Sequence, residues 1–225
     1  MPQIICKFGG TSVSSKDNWN HIFEIVNSHI SEKKQPVVVC SALSQASNQL
    51  ENLIESALLG RYQSGLKKLQ ARYEDLAHDL AVDSHIISDD FSYLERLLQG
   101  VSLLQEASPK TQAAILSLGE LMMSRLGNAF LNSKGIDCEW VDAREIIHTM
   151  PVANNDGLNY LAAQSAGNED PQLASKLLKT KKHAFITQGF IASNPKQETV
   201  LLGRGGSDTS ASLLAKILQA EKCEI

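Results

Sequence analysis

Two glycine-rich stretches hold the residues in this chain best suited to chemistry. "KFGGTS" (7–12) places a lysine before two glycines and two hydroxyls, and "GRGGSD" (203–208) sets an arginine and an aspartate among three glycines. Each follows an apolar run and precedes a helical pattern. Glycines permit close backbone approach and unusual dihedrals, hydroxyls cap a following helix, and the N-terminus of that helix favours anions. Lys7 adds a point charge, so residues Lys7, Phe8, Gly9, Gly10, Thr11 and Ser12 fit a phosphate cradle at a strand-to-helix turn. The spacing GxxxxGK[ST] is absent and neither stretch completes GxGxxG, which argues against a Walker loop and a dinucleotide fingerprint. One such turn is weak evidence of a site. Two, carrying Lys7 in one and Arg204 with Asp208 in the other, are hard to explain as mere connections.

The elements that must position these residues alternate. "QIICKF" (3–8) reads as a strand, and residues 17–33 repeat apolar side chains at helical spacing. "PVVVCSA" (36–42) is a continuous β-branched run, as expected of a buried parallel strand. Residues 47–106 are almost wholly helical in pattern and predict a helical insertion on the sheet, with Leu66, Leu69, Tyr73, Leu76 and Leu80 as a core stripe. A helix from Thr111 to a stop at Gly135 follows, then a strand at 137–143 and a loop over 148–159. A helix over 170–182, a strand ending in Gln-Gly, the strand–turn–helix around 203–208 and a final strand at "CEI" complete the reading. The sum is an α/β fold whose largely parallel sheet is flanked by helices, with both glycine turns opening at the carboxyl edge of their strands, where ligands bind in such folds.

The bulk numbers narrow the function. The 225 residues are 43% hydrophobic and 20% charged, with net charge -4 and 5% aromatics. This gives no basic face or stacking platform, so nucleic acid is not the expected partner. No apolar run reaches membrane-span length, and the start lacks the pattern of a signal peptide. Four scattered cysteines and six dispersed histidines show no close ligand spacing, so buried free thiols, no metal site and a cytoplasmic location are expected.

"KFGGTSV" near the start, "LGELMMS" (118–124), "TQGFIAS" (187–193) and "GRGGSDTSA" (203–211) together resemble the aspartokinases of the amino-acid kinase family, in family order across the chain. The resemblance implies an amino-acid kinase-like sandwich that transfers the ATP γ-phosphate, with Mg2+ on the nucleotide, to the side-chain carboxylate of L-aspartate. A carboxylate is already ionised at pH 7, so no general base is needed. The work is positioning and neutralising charge. By matching position, Lys7 would neutralise the phosphoryl group and Gly9 and Gly10 would offer N–H groups. Arg204 would grip the α-carboxylate, Glu120 would pair with the α-ammonium, and Asp208 would hold Lys7 and the ammonium. Ser41, Ser47 and Ser207 would line the substrate site. Other readings of the same residues are a different amino-acid kinase, such as acetylglutamate kinase, or a non-catalytic amino-acid-binding module.

Two departures stand out. The family's Ser-Ala-x-x-Gly-x-Thr-Asn loop reads "SALSQASN" (41–48), with Gln45 for glycine and Ser47 for threonine. Glutamine resists positive φ, so a differently set loop is expected. The family's nucleotide-holding segments and regulatory domains do not appear before Ile225. The expectation is therefore an amino-terminal catalytic part with the aspartate site and phosphate cradle but an incomplete adenosine site, in a family that commonly forms homodimers.

Overall fold

The computed structural model describes residues 1–152, 154–165, 167 and 182–225, so the helix expected over 170–182 lies almost wholly outside the described residues. Five parallel strands form the main sheet in the order β3-β4-β2-β1-β7, with β1 at Gln3–Phe8, β2 at Gln35–Cys40, β3 at Cys138–Trp140, β4 at Ala184–Gln188 and β7 at Lys222–Glu224. Its faces follow the period-two alternation of the strands. Val38, Cys40 and Ile186 face one way, into a core shared with α1 (Lys16–Ser31) and α5 (Pro109–Ser133). Ile5, Val37, Val39 and Phe185 face the other way, against Leu214 and Ile217 of α7 (Gly206–Ile217).

The leucine-rich middle forms α2 (Ala46–Leu58), α3 (Gln63–Asp79) and α4 (Ser88–Leu104). Leu50, Leu69, Tyr73, Leu94 and Leu98 belong to the same apolar cluster as Leu118 and Met122 of α5 and Ile186 of β4. Helix α5 is thus enclosed between the sheet and the α2–α4 layer, and is buried along most of its length. It begins two residues earlier than the apolar pattern suggested. Ser108 accepts a hydrogen bond from the Thr111 N–H, and Pro109 occupies the first turn, where its missing N–H costs nothing.

Two expectations are corrected. The 148–159 loop gives way to a short helix α6 (Asp156–Leu161), started by Asn155, whose Oδ1 accepts from the Leu158 N–H. The strand before the second glycine turn does not join the parallel sheet. It is β6 (Thr199–Leu201), paired antiparallel with β5 (Ile191–Ser193). The cause lies at Phe190, whose φ of 69° turns the chain back as it leaves β4. Among the described residues no helix is long and apolar enough to cross a membrane.

This topology positions the site. In the register of the three central strands Phe8 pairs with Cys40, and Cys40 with Gln188, so β1, β2 and β4 all end along one line. The turns that follow them therefore emerge together. The β5–β6 hairpin then returns the "GRGGSD" stretch to the same edge.

Candidate functional site

At that edge lies an open cleft of about 470 Å³ walled by three backbone segments and one helix. Lys7 comes from the end of β1, Gly9, Gly10 and Thr11 from the first glycine turn, Ser41 to Gln45 from the loop after β2, and Ser47 from the first turn of α2. Gly203 to Asp208 come from the second turn, and Glu120 from the middle of α5. The structure thus gathers Lys7, Gly9, Gly10, Thr11, Ser41, Ser47, Glu120, Arg204, Ser207 and Asp208. It does not bring Phe8 or Ser12 to the cleft wall. Phe8 packs its ring against the core and spends its carbonyl on the Ser41 N–H, because a strand residue one step from Lys7 points to the opposite face. Ser12 is half-buried in the turn behind the cleft.

Lys7 is largely buried and its ammonium forms an ion pair with Asp208, which is about half exposed. Asp208 lies in the first turn of α7, where the helix N-terminus also favours a negative group. Arg204 is exposed and engages no acidic group among the described residues, so its guanidinium is available to a ligand. The turn that carries it depends on Gly203 and Gly205, at φ of 75° and 73°.

Glu120 is the most unusual group in the cleft. Its side chain is buried within α5, where Oε1 accepts the Ala42 N–H at 3.2 Å and Oε2 has no hydrogen-bond partner. Burial pushes its carboxyl up from the usual 4.5 to about 8, against a smaller lowering by the Ala42 N–H. A buried carboxyl with an unmet oxygen at the wall of a cleft is a natural receptor for a cation. Two glycines make its placement possible. A Cβ at Gly10 would lie 2.9 Å from the Ala42 carbonyl oxygen, and one at Gly119 would lie 2.8 Å from the Ala42 Cβ. Ala42 is therefore pinched between the first turn and α5, with its N–H aimed at Glu120.

Side chains that the sequence did not place in the site hold this arrangement. Arg72 of α3 donates one guanidinium N–H to the Ser44 carbonyl at 2.7 Å and another to the Gln49 side chain. Its neighbour Tyr73 donates its hydroxyl to the Gly119 carbonyl at 3.1 Å, one residue from Glu120. Consecutive residues of α3 thus brace both the loop after β2 and the helix that carries Glu120. The buried Gln188 of the "TQGFIAS" stretch donates to Ser124 of α5 at 2.8 Å and accepts from the Ala143 N–H at 2.9 Å, tying α5 to the end of β4.

Gln45 departs from the expected displacement. It sits in the left-handed region at φ 64°, the conformation glycine favours, and its side chain accepts from Asn48 at 2.8 Å. Gln45→Gly should therefore relieve strain of about 1–2 kcal/mol, offset in part by about 0.5–1 kcal/mol of added chain entropy. The expected net gain of about 0.5–1 kcal/mol is a rise of roughly 1–4 °C in a thermal melt. A lower melting temperature would show that the Gln45–Asn48 contact outweighs the strain.

The carboxyl edge of the parallel sheet thus gathers a cationic strand end, two glycine turns and a buried carboxyl around one cleft. The chain matches the profile of the Amino acid kinase family over residues 2–225, and it belongs to that family. It is 32% identical to the aspartokinase of Chlamydia pneumoniae over 225 residues, covering all of this chain and 47% of that protein. It is 31% identical to the lysine-sensitive aspartokinase 3 of Escherichia coli K12, covering 99% of this chain and 48% of the relative. The crystal structure of E. coli aspartokinase III with aspartate and ADP superposes with a TM-score of 0.76 at 30% identity, over 98% of this chain and 48% of that one. The chain spans about half the length of the curated relatives it matches.

Proposed function

We propose that this chain carries the amino-acid-binding and phosphate-binding part of an aspartate kinase, which moves the γ-phosphoryl group of ATP onto the side-chain carboxylate of L-aspartate. The observation that carries this reading is the buried Glu120 carboxyl, one oxygen of which has no hydrogen-bond partner among the described residues, at the wall of a cleft that also holds Lys7 and Arg204, which engages no acidic group among the described residues. An α-amino acid offers the complementary pair of charges. Its ammonium satisfies Glu120, and its α-carboxylate takes the planar fork of Arg204. A side-chain carboxylate can then extend toward Lys7. The relatives solved or named as aspartokinases support this choice of amino acid, and one was solved with aspartate and ADP.

The residues present fit a nucleotide's phosphates. Gly9 and Gly10 expose backbone at the strand end, and Lys7 supplies the charge that two approaching anions require. Asp208 is held by Lys7 and Glu120 is buried, so magnesium would travel on the phosphates of ATP, where it offsets their charge. Asp208 keeps the lysine ammonium at the cleft instead of letting it swing into solvent. Ser41, Ser47 and Ser207 supply hydroxyls along the substrate wall.

Thermal melts with excess L-aspartate test this reading, with N-acetyl-L-glutamate as the control. At a hundredfold excess over Kd, binding adds about 2.7 kcal/mol, a rise of roughly 5–10 °C. A rise with acetylglutamate and none with aspartate would overturn the substrate assignment. Arg72 gives a second check. Removing charged hydrogen bonds to the substrate loop, worth about 1.5–3 kcal/mol, should make Arg72→Met bind aspartate at least roughly tenfold more weakly in calorimetry. An unchanged Kd would mean that the loop holds its shape without Arg72.

A further inference from the structure

On the far side of β1 from the cleft, three side chains of different elements converge. Cys6 of β1 and Glu224 of β7 are paired in the parallel register, so both project to the same face of the sheet. His29, in the last turn of α1, closes over them. One ligand atom from each of the three lies within 4.8 Å of the other two, and His29 Nε2 stands 3.1 Å from Glu224 Oε2. We infer that Cys6, His29 and Glu224 form a binding site for one zinc-class divalent cation.

The donor set is the first support. One thiolate, one imidazole and one carboxylate match the ligands of a borderline-soft ion that takes nitrogen, sulfur and oxygen. At bond lengths of about 2.0–2.3 Å, tetrahedral ligands stand roughly 3.3–3.8 Å apart. Rotamer adjustment of about 1 Å or less therefore seats the ion. The surroundings are the second support. Lys222 grips the other carboxylate oxygen of Glu224 at 2.7 Å, fixing the orientation in which Oε2 faces the histidine. The Nε2 of His29 already faces Glu224, so it is the ring nitrogen placed to share a cation with that carboxylate. Cys6 is 1% exposed and free of any disulfide, and its thiol is pushed up to about 12 by burial. It is inert as a nucleophile, and a bound cation would deprotonate it.

The consequence is a staple. β7 is a three-residue edge strand, and a cation at this point would tie it to both β1 and α1. Lys7 follows Cys6 in the chain but points to the other face, so the staple and the cleft occupy opposite sides of one strand. The site was invisible in sequence spacing because its ligands stand at positions 6, 29 and 224.

Titrating the metal-free protein with Co2+ reads this out, since a cobalt–thiolate bond gives a near-ultraviolet charge-transfer band that zinc abolishes on displacement. One equivalent should bind in the micromolar range and raise the melting temperature. Cys6→Ser should lose the band, His29→Gln and Glu224→Gln should each weaken binding by at least roughly tenfold, and Cys223→Ser should bind as the parent does. Absence of a stoichiometric band with the chain folded overturns the inference. So does a band that survives Cys6→Ser and vanishes with Cys223→Ser, which would place the metal on the more exposed thiol. Because Cys6 is in the core, the half-buried His29 and Glu224 variants keep the test decisive if Cys6→Ser does not fold.

Discussion

Lys7→Met is expected to lower phosphoryl transfer from ATP to aspartate by a factor on the order of 10³ or more, measured as kcat by coupled ADP release in protein carrying this chain. The reaction must bring a carboxylate against a triphosphate, and a single positioned cation on a transferring phosphoryl group contributes about 10³–10⁵ in comparable enzymes. Lys7 is placed for that task. It is the penultimate residue of β1, just before the first glycine turn, is 13% exposed, and is held at the cleft by Asp208. Methionine keeps much of the packing of the stem but deletes the charge. It also leaves Asp208 uncompensated beside two anions, which compounds the loss. The effect should fall on kcat, with KM for aspartate moving only a few-fold, because the proposed function assigns the amino-acid head to Glu120 and Arg204. Asp208→Asn should show a smaller loss, since it frees the lysine without removing it. A Lys7→Met enzyme within tenfold of the parent would remove Lys7 from the transfer step.

The second large effect is a change of opposite sign in two measurements on one variant. Glu120→Gln should make the ligand-free protein more stable while abolishing the stabilisation by aspartate. The carboxyl of Glu120 ionises near 4.5 in the unfolded chain and near 8 when folded, because burial opposes its charge. Between those values the folded protein holds a proton that the unfolded chain lacks, so stability falls as pH rises through that window. The slope is about 1.4 kcal/mol per pH unit, and the accumulated cost at pH 7 is on the order of 3 kcal/mol. Glutamine resembles the neutral acid and removes that slope. The variant should melt roughly 6–12 °C higher at pH 7 and match the parent near pH 4.5. It cannot pair with an ammonium, so the aspartate-induced shift should vanish. Equal melting of the two proteins from pH 5 to 8 would show that Glu120 is charged at no cost in the free protein.

Much of the architecture was legible because local pattern and global fold agree. The β-branched run of β2 and the apolar spacing of α1 read correctly from residue order alone, and the glycine turns were visible as Lys7 and Arg204 set where a core would not place them. What escaped has physical reasons. Three-residue strands such as β5 and β6 are too short for periodicity to distinguish parallel from antiparallel pairing. Asn155 looked like loop composition, yet a helix cap has the same chemistry. The burial of Glu120 follows from Gly10, Gly119 and Ala42 meeting in space, and backbone contacts leave no mark on side-chain spacing. Tyr73 read as a core aromatic and Arg72 carried no signal of its own, and only the fold reveals that both brace the cleft.

On the proposed function, a protonated, buried Glu120 becomes the counter-ion of a substrate ammonium. Calorimetric titration of L-aspartate at pH 7 in two buffers of different ionisation enthalpy tests it most directly. With a free-state value of about 8, Glu120 is mostly protonated at pH 7, and binding an ammonium should release about 0.9 proton per aspartate. The affinity should rise as pH climbs from 6 to 8 and then level off, and Glu120→Gln should show neither binding nor release. Aspartate binding with no proton exchange, undiminished in Glu120→Gln, would contradict the account.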